Sequence, residues 1–185
     1  MRTSASQGLL SNTEALPEAS RRSVELESML HADGLTVHGF RNLQIASWTA
    51  QGTIALVELL AEHSTRFHRR HPEGVSVVHV ISKGPALPDA PTRERLKTLL
   101  EGNTKTLACV AIILDGRGFW ASAVRSFLVG LRLVSPRTFV MQVFSTPEEV
   151  AAWLPEQHLQ RTGVRIDAPD LLQAIEAVRT QSSTQ

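Results

Sequence analysis

The sequence predicts a single α/β domain: a mixed, mostly parallel sheet flanked by helices, with further helices at both ends of the chain. Three observations carry this. Two runs, 75–82 (VSVVHVIS) and 107–114 (LACVAIIL), are almost continuously apolar and rich in β-branched residues, the signature of strands covered on both faces. Segments of helical character lie between and after them, at 92–102 and 119–135, and strands alternating with helices call for crossovers and a sheet with helices packed on it. A chain of 185 residues suits one domain with terminal extensions.

Taken in order, residues 1–33 read as a polar, flexible lead-in broken by Pro17. A helix follows from Glu18, carrying Val24, Leu26, Met29 and Leu30 and ended by Gly34 as its C-cap. The compact domain is expected to open at Leu35 with two strands, 35–40 and 43–49. Arg41-Asn42 forms the hairpin turn between them, because Asn tolerates positive φ. Gln51-Gly52 breaks the second strand and Thr53 caps a helix over 54–71. Leu56, Val57, Leu60 and Phe67 lie on one side of that helix, Glu58, Glu62 and Arg66 on the other, and Pro72 and Gly74 stop it.

The strand 75–82, the helix 92–102, the strand 107–114, the helix 119–135 and the strand 138–145 come next. Thr146-Pro147-Glu148-Glu149 opens another helix, since Thr caps, Pro suits the first turn and the acids meet the positive dipole end. Residues 159–167 read as a connector, and 168–180 as a last amphipathic helix on Leu171, Leu172, Ile175 and Val178. The order is β-β-α-β-α-β-α-β-α, with an extension over 1–33, a domain over 35–158 and a connector and helix over 159–185.

Composition narrows the function classes. With 19 basic and 18 acidic residues and a net charge of +1, no field draws the chain to nucleic acid or to an anionic membrane. Six Phe, three Trp and no Tyr make a poor base-stacking surface. The lone Cys109 excludes an internal disulfide and any multi-cysteine metal site. Its apolar setting makes it a buried, inert thiol. With neither a leader of basic then apolar residues nor an apolar stretch of about 18 residues, the protein reads as cytoplasmic, with no membrane span.

A family resemblance is carried by the element order and three local features. These are Trp48 ending the second expected strand, His71-Pro72-Glu73-Gly74-Val75 ending a helix, and the segment Gly118-Phe119-Trp120-Ala121-Ser122-Ala123-Val124-Arg125-Ser126. Over about 35–154 the chain resembles the STAS domain family, found in anti-sigma-factor antagonists and in the tails of sulfate transporters. Its local text is closer to a bacterial branch of STAS-like proteins similar to the sporulation antagonist. The resemblance implies a small domain that binds other proteins, and sometimes nucleotides or lipids, without catalysing a reaction. Phosphorylation-switched antagonists carry an Asp-Ser pair where the third strand meets the second helix. Here that junction reads Ser82-Lys83-Gly84-Pro85-Ala86-Leu87-Pro88-Asp89-Ala90-Pro91-Thr92. The pair is missing, and Thr92 is the nearest hydroxyl.

Several residues invite a chemical reading. Asp115-Gly116-Arg117-Gly118 joins the most apolar strand to the strongest helix, where ligands sit in open α/β sheets and a helix N-terminus offers free N–H groups. Gly116 and Gly118 either let an anion approach the backbone or only satisfy a turn. In the following helix Phe119, Trp120, Val124, Phe127, Leu128 and Leu131 form an apolar stripe, with Arg125 and Arg132 opposite it as a basic edge or a solvated face. His63, His68 and His71 cluster near one helix end, but no H-E-x-x-H pattern accompanies them, so no metal is expected. His79 interrupts an apolar strand and is either a hydrogen-bonded core histidine or the wall of a pocket.

Neither a phosphate loop nor a G-x-S-x-G elbow is present, and the acids are scattered, so no catalytic residue and no cofactor is assigned. The first expectation is a non-catalytic regulatory module that binds a protein partner or a small anion through Lys83, Thr92, Gly116, Arg117, Gly118 and Arg125. The alternative is a lipid-like or nucleotide ligand held between helix and sheet against His79 and Trp120. An enzyme with a dispersed site is the third. The terminal amphipathic helix offers a route to a homodimer.

Overall fold

The computed structural model describes residues 24–82, 87–102, 105–114, 122, 124–126, 128, 130 and 139–183. Its six strands lie side by side in chain order: β1 (Glu27–Ala32), β2 (Leu35–Phe40), β3 (Leu43–Trp48), β4 (Val75–Ile81), β5 (Leu107–Leu114) and β6 (Val140–Phe144). The first two pairings are antiparallel and the remaining three parallel. The fold is therefore α/β, with a mixed, mostly parallel sheet.

The helix expected over 18–33 is corrected where the chain is described. Residues 27–32 are strand β1, paired with β2 so that Ala32 faces Leu35. The reason is Asp33-Gly34, a two-residue hairpin turn of the kind that matches strand twist. Gly34 has φ +85° and is a turn residue rather than a helix cap. A Cβ there would stand 2.4 Å from Cβ of Ala50, so only glycine fits. The second hairpin turns at Arg41-Asn42, as expected, but the positive φ (+54°) falls on Arg41. Asn42 is buried instead, and its side chain serves another purpose described below.

Helix α1 (Ile54–Arg70) is capped by Thr53, whose hydroxyl accepts the Leu56 N–H. Helix α2 (Ala90–Gly102) starts two residues before the expected Thr92, because the carboxylate of Asp89 accepts the Thr92 N–H at 2.9 Å. Residues 122, 124–126, 128 and 130 are helical, with Val124 and Leu128 buried. Helix α3 (Pro147–Thr162) opens on Thr146, which accepts from the Glu149 N–H, while the Glu149 carboxylate accepts the Ser145 N–H at 2.7 Å. It runs on into the expected connector as far as Thr162 and is ended by Gly163, whose φ of +73° gives the αL end of a helix, leaving 164–167 as the link to the last helix. Helix α4 is Ala168–Ser183.

A sheet that grows in one direction by right-handed crossovers collects its crossover helices on one face. Helices α1 and α2 and the helical residues Val124 and Leu128 cover that face, against Ala46, Trp48, Val110 and Ile112. Helices α3 and α4 cover the other, where Val150, Leu154, Leu171, Ile175 and Val178 pack on Ile45, Val78, Cys109, Ala111 and Ile113. Leu171, Ala174, Ile175 and Val178 are fully buried within this chain. That corrects the expected dimer route: the apolar side of the last helix is already used, and its end is tied to β2 by a Thr36–Ser182 hydroxyl hydrogen bond of 2.9 Å.

Candidate functional site

Strand alternation sends Gln44, Ala46 and Trp48 of β3, and Val77, His79 and Ile81 of β4, toward the α1/α2 face. The helices do not close completely over them. They leave an interior cavity of about 140 Å³, walled by Trp48, Val57, Leu60, Ile81, Leu96, Leu99, Val110, Ile112, Leu128 and Met141, with His79 among them. It reaches the surface beside Ala50 and Gly52, both of which are accessible and line it. Among the described residues no charged side chain lines it.

His79 brings a polar side chain into this wall. The register pairs Ala46 with His79 and Trp48 with Ile81, which makes Trp48 and His79 diagonal neighbours on one face. The indole N–H of Trp48 donates to Nδ1 of His79 at 3.2 Å. An indole nitrogen only donates, so Nδ1 is the acceptor and the proton sits on Nε2. Burial lowers the His79 pKa from 6.5 to about 4, and the ring is neutral at physiological pH.

A second, smaller cavity of about 40 Å³ adjoins the first across His79, Leu60, Leu99, Leu100 and Val110, which line both. Its wall is more polar. Gln44 and Ser64 bond to each other there, Gln44 Nε2 donating to Ser64 Oγ at 2.8 Å. His68 is also present, its Nδ1 paired with the Thr106 hydroxyl at 2.7 Å and its pKa lowered to about 4, first by burial and then by His71. Gln44 is completely buried, and its Oε1 has no hydrogen-bond partner.

The opposite face carries a buried array of a different kind. Ser76 Oγ lies 2.7 Å from His158 Nδ1, and His158 Nε2 lies 2.9 Å from Asn42 Oδ1. The Asn42 amide donates to the Gly74 carbonyl at 2.8 Å, so Asn42 Oδ1 accepts from the ring and Ser76 donates to Nδ1. The pattern imitates a Ser-His-Asn triad, but Ser76, His158 and Asn42 are 0%, 0% and 2% exposed. A nucleophile must meet its substrate, and this serine is sealed. The array pins α3 to the β2–β3 turn and to the start of β4.

Of the residues singled out from the sequence, His79 lies in the cavity wall and is hydrogen-bonded, which unites both readings given for it. Thr92 is buried at 1% exposure in the first turn of α2, so its hydroxyl does not stand at an open junction. Arg125 is half-buried and donates to Ser145 Oγ at 3.2 Å. Lys83, Gly116, Arg117, Gly118 and Trp120 lie outside the described residues. His71 pairs with Glu73 at 3.0 Å, and no group of three or more metal-ligating side chains occurs among the described residues. Cys109 is buried, which pushes its thiol pKa up.

Sequence reading missed Gln44 and the pairing of Trp48 with His79. The signal was present in the alternation of β3, since positions 44, 46 and 48 share a face, but only the parallel register shows that His79 shares it too. No protein-family model matches the chain, and no curated protein is significantly similar to it. Among the described residues no helix is long and apolar enough to cross a membrane.

Proposed function

We propose that this domain is a non-catalytic binding module, STAS-like in kind, that holds a small apolar ligand between its sheet and helices α1 and α2. The observation that carries the reading is the cavity itself: an opening into the core, walled by aliphatic side chains, with one neutral, oriented imidazole. Ligand sites are typically concave and mostly apolar, with few fixed polar groups. A cavity of roughly 150 Å³ with aliphatic and aromatic walls is enough to bind benzene. The sealed Ser76–His158–Asn42 array on the other face gives a substrate no route to a nucleophile.

Titration calorimetry with ethylbenzene tests this. Binding with a negative heat-capacity change is expected, and Gly52→Leu should weaken it at least tenfold. A Cβ at Gly52 would lie 3.6 Å from Pro88 and 3.7 Å from Trp48, so a leucine there plugs the mouth. Absence of binding to the unaltered protein, or equal binding by a folded Gly52→Leu variant, sinks the reading.

The resemblance supports a wider role, in which the module also engages a protein partner in bacterial signalling. Arg125, still partly accessible next to Ser145, is a described member of that surface, whereas Thr92 is buried. A partner captured by the full chain should be lost on Arg125→Glu; retention of every captured protein removes Arg125 from the surface.

A further inference from the structure

The orphaned oxygen of Gln44 says what kind of head group the ligand carries. Gln44 is fully buried and borders the smaller cavity, its amide N–H occupied by Ser64 and its Oε1 without a partner. A buried acceptor left unpaired costs roughly 1–3 kcal/mol, so a donor belongs there. His79 borders the same cavity. Its Nδ1 is taken by Trp48, which leaves the Nε2–H as a donor, and no acceptor for it occurs among the described residues. Gln44 pairs with Val77, two residues before His79 on the adjacent strand, so the two backbones are about 8 Å apart by strand spacing and rise. Both side chains can therefore reach one small group.

That group must donate to Gln44 and accept from His79, which a hydroxyl does with one atom. A neutral group fits best: among the described residues no Lys, Arg, Asp or Glu lines either cavity, and a buried unpaired charge is prohibitive. The size limit comes from the larger cavity, whose 140 Å³ suits a body of about six to eight carbons by comparison with benzene-binding cavities. Building on the apolar-ligand reading above, we infer that the ligand is a small neutral alcohol, with its hydrocarbon body in the larger cavity and its hydroxyl between Gln44 Oε1 and His79 Nε2.

The test compares 2-phenylethanol, its methyl ether, phenylacetate and ethylbenzene by calorimetry on the full chain. The alcohol should bind about tenfold or more tightly than the ether, which cannot donate, and than phenylacetate, which is charged. In Gln44→Leu the alcohol should lose about tenfold while ethylbenzene binds as well as before or better. If ethylbenzene binds but the alcohol and ether bind equally to the unaltered protein, Gln44 is satisfied without the ligand and the head-group inference is overturned, while the apolar reading stands. If ethylbenzene and the alcohol both fail to bind, both fall together. The alcohol–ether comparison on the unaltered protein decides the matter even if Gln44→Leu does not fold.

Discussion

The indole N–H of Trp48, the last residue of β3, meets Nδ1 of His79 in the middle of β4 at 3.2 Å. This contact fixes the histidine tautomer and holds a neutral ring in a hydrocarbon wall. The fold also buries the imidazoles of His38, His68 and His158, and the first prediction follows from His68, His79 and His158.

His68, His79 and His158 each have pKa values lowered to about 4, with burial as the leading cause. A lowered histidine pKa means that the unfolded chain binds more protons than the folded one between pH 6.5 and 4. Stability is therefore fully present above about pH 6.5 and is lost as pH falls toward 4. A shift of that size is worth up to about 3 kcal/mol per group, and three together rival the whole stability of a typical domain. Thermal unfolding should give a flat Tm above pH 7 and a steep fall between pH 6.5 and 4. A Tm unchanged at pH 4.5 would contradict the burial of these rings.

The Ser76–His158–Asn42 array should behave as structure and not as a nucleophile. Asn42→Leu strands the Nε2–H of His158 and the Gly74 carbonyl, and urea titration should show a loss of about 2–4 kcal/mol. A fluorophosphonate probe should leave Ser76 unlabelled in the native protein. Stoichiometric labelling would return the array to the list of catalytic sites.

Gly34→Ala should destabilise the protein by roughly 2–3 kcal/mol, since φ of +85° costs an L-residue about 1–2 kcal/mol and the new methyl group collides with Ala50. Asp33→Ala, at the neighbouring turn position, should cost less. Equal losses would mean that the contact with Ala50 contributes nothing.

Ile175→Ala removes a fully buried side chain from the core between α4 and the sheet and should cost about 2–5 kcal/mol. Truncation after Gly163 should go further, exposing β2 and β3 and abolishing cooperative unfolding. A truncated chain that melts as sharply as the full one would show that α4 is dispensable.

Much of the architecture is legible in local sequence. The runs 75–82 and 107–114 are too apolar to be anything but doubly covered strands, and Thr53 and Thr146 cap the helices as their positions suggest. The segment 27–32 misled because Val24, Leu26, Met29 and Leu30 mimic a helical face. The Asp33-Gly34 turn, a stronger local signal, instead pairs it with β2.

What the sequence alone determined is the class of the fold, the parallel part of its sheet and the placing of a histidine, His79, within an apolar strand, because periodicity, caps and a polar residue in an apolar strand are local properties. Tertiary structure alone decided what those residues do. Strand register brought Trp48 to His79 and left Gln44 unpaired beside it, and packing of α1 and α2 over that face left a cavity. Pairing between strands and the fit of helices on a sheet depend on residues far apart in the chain, and no window of sequence contains them.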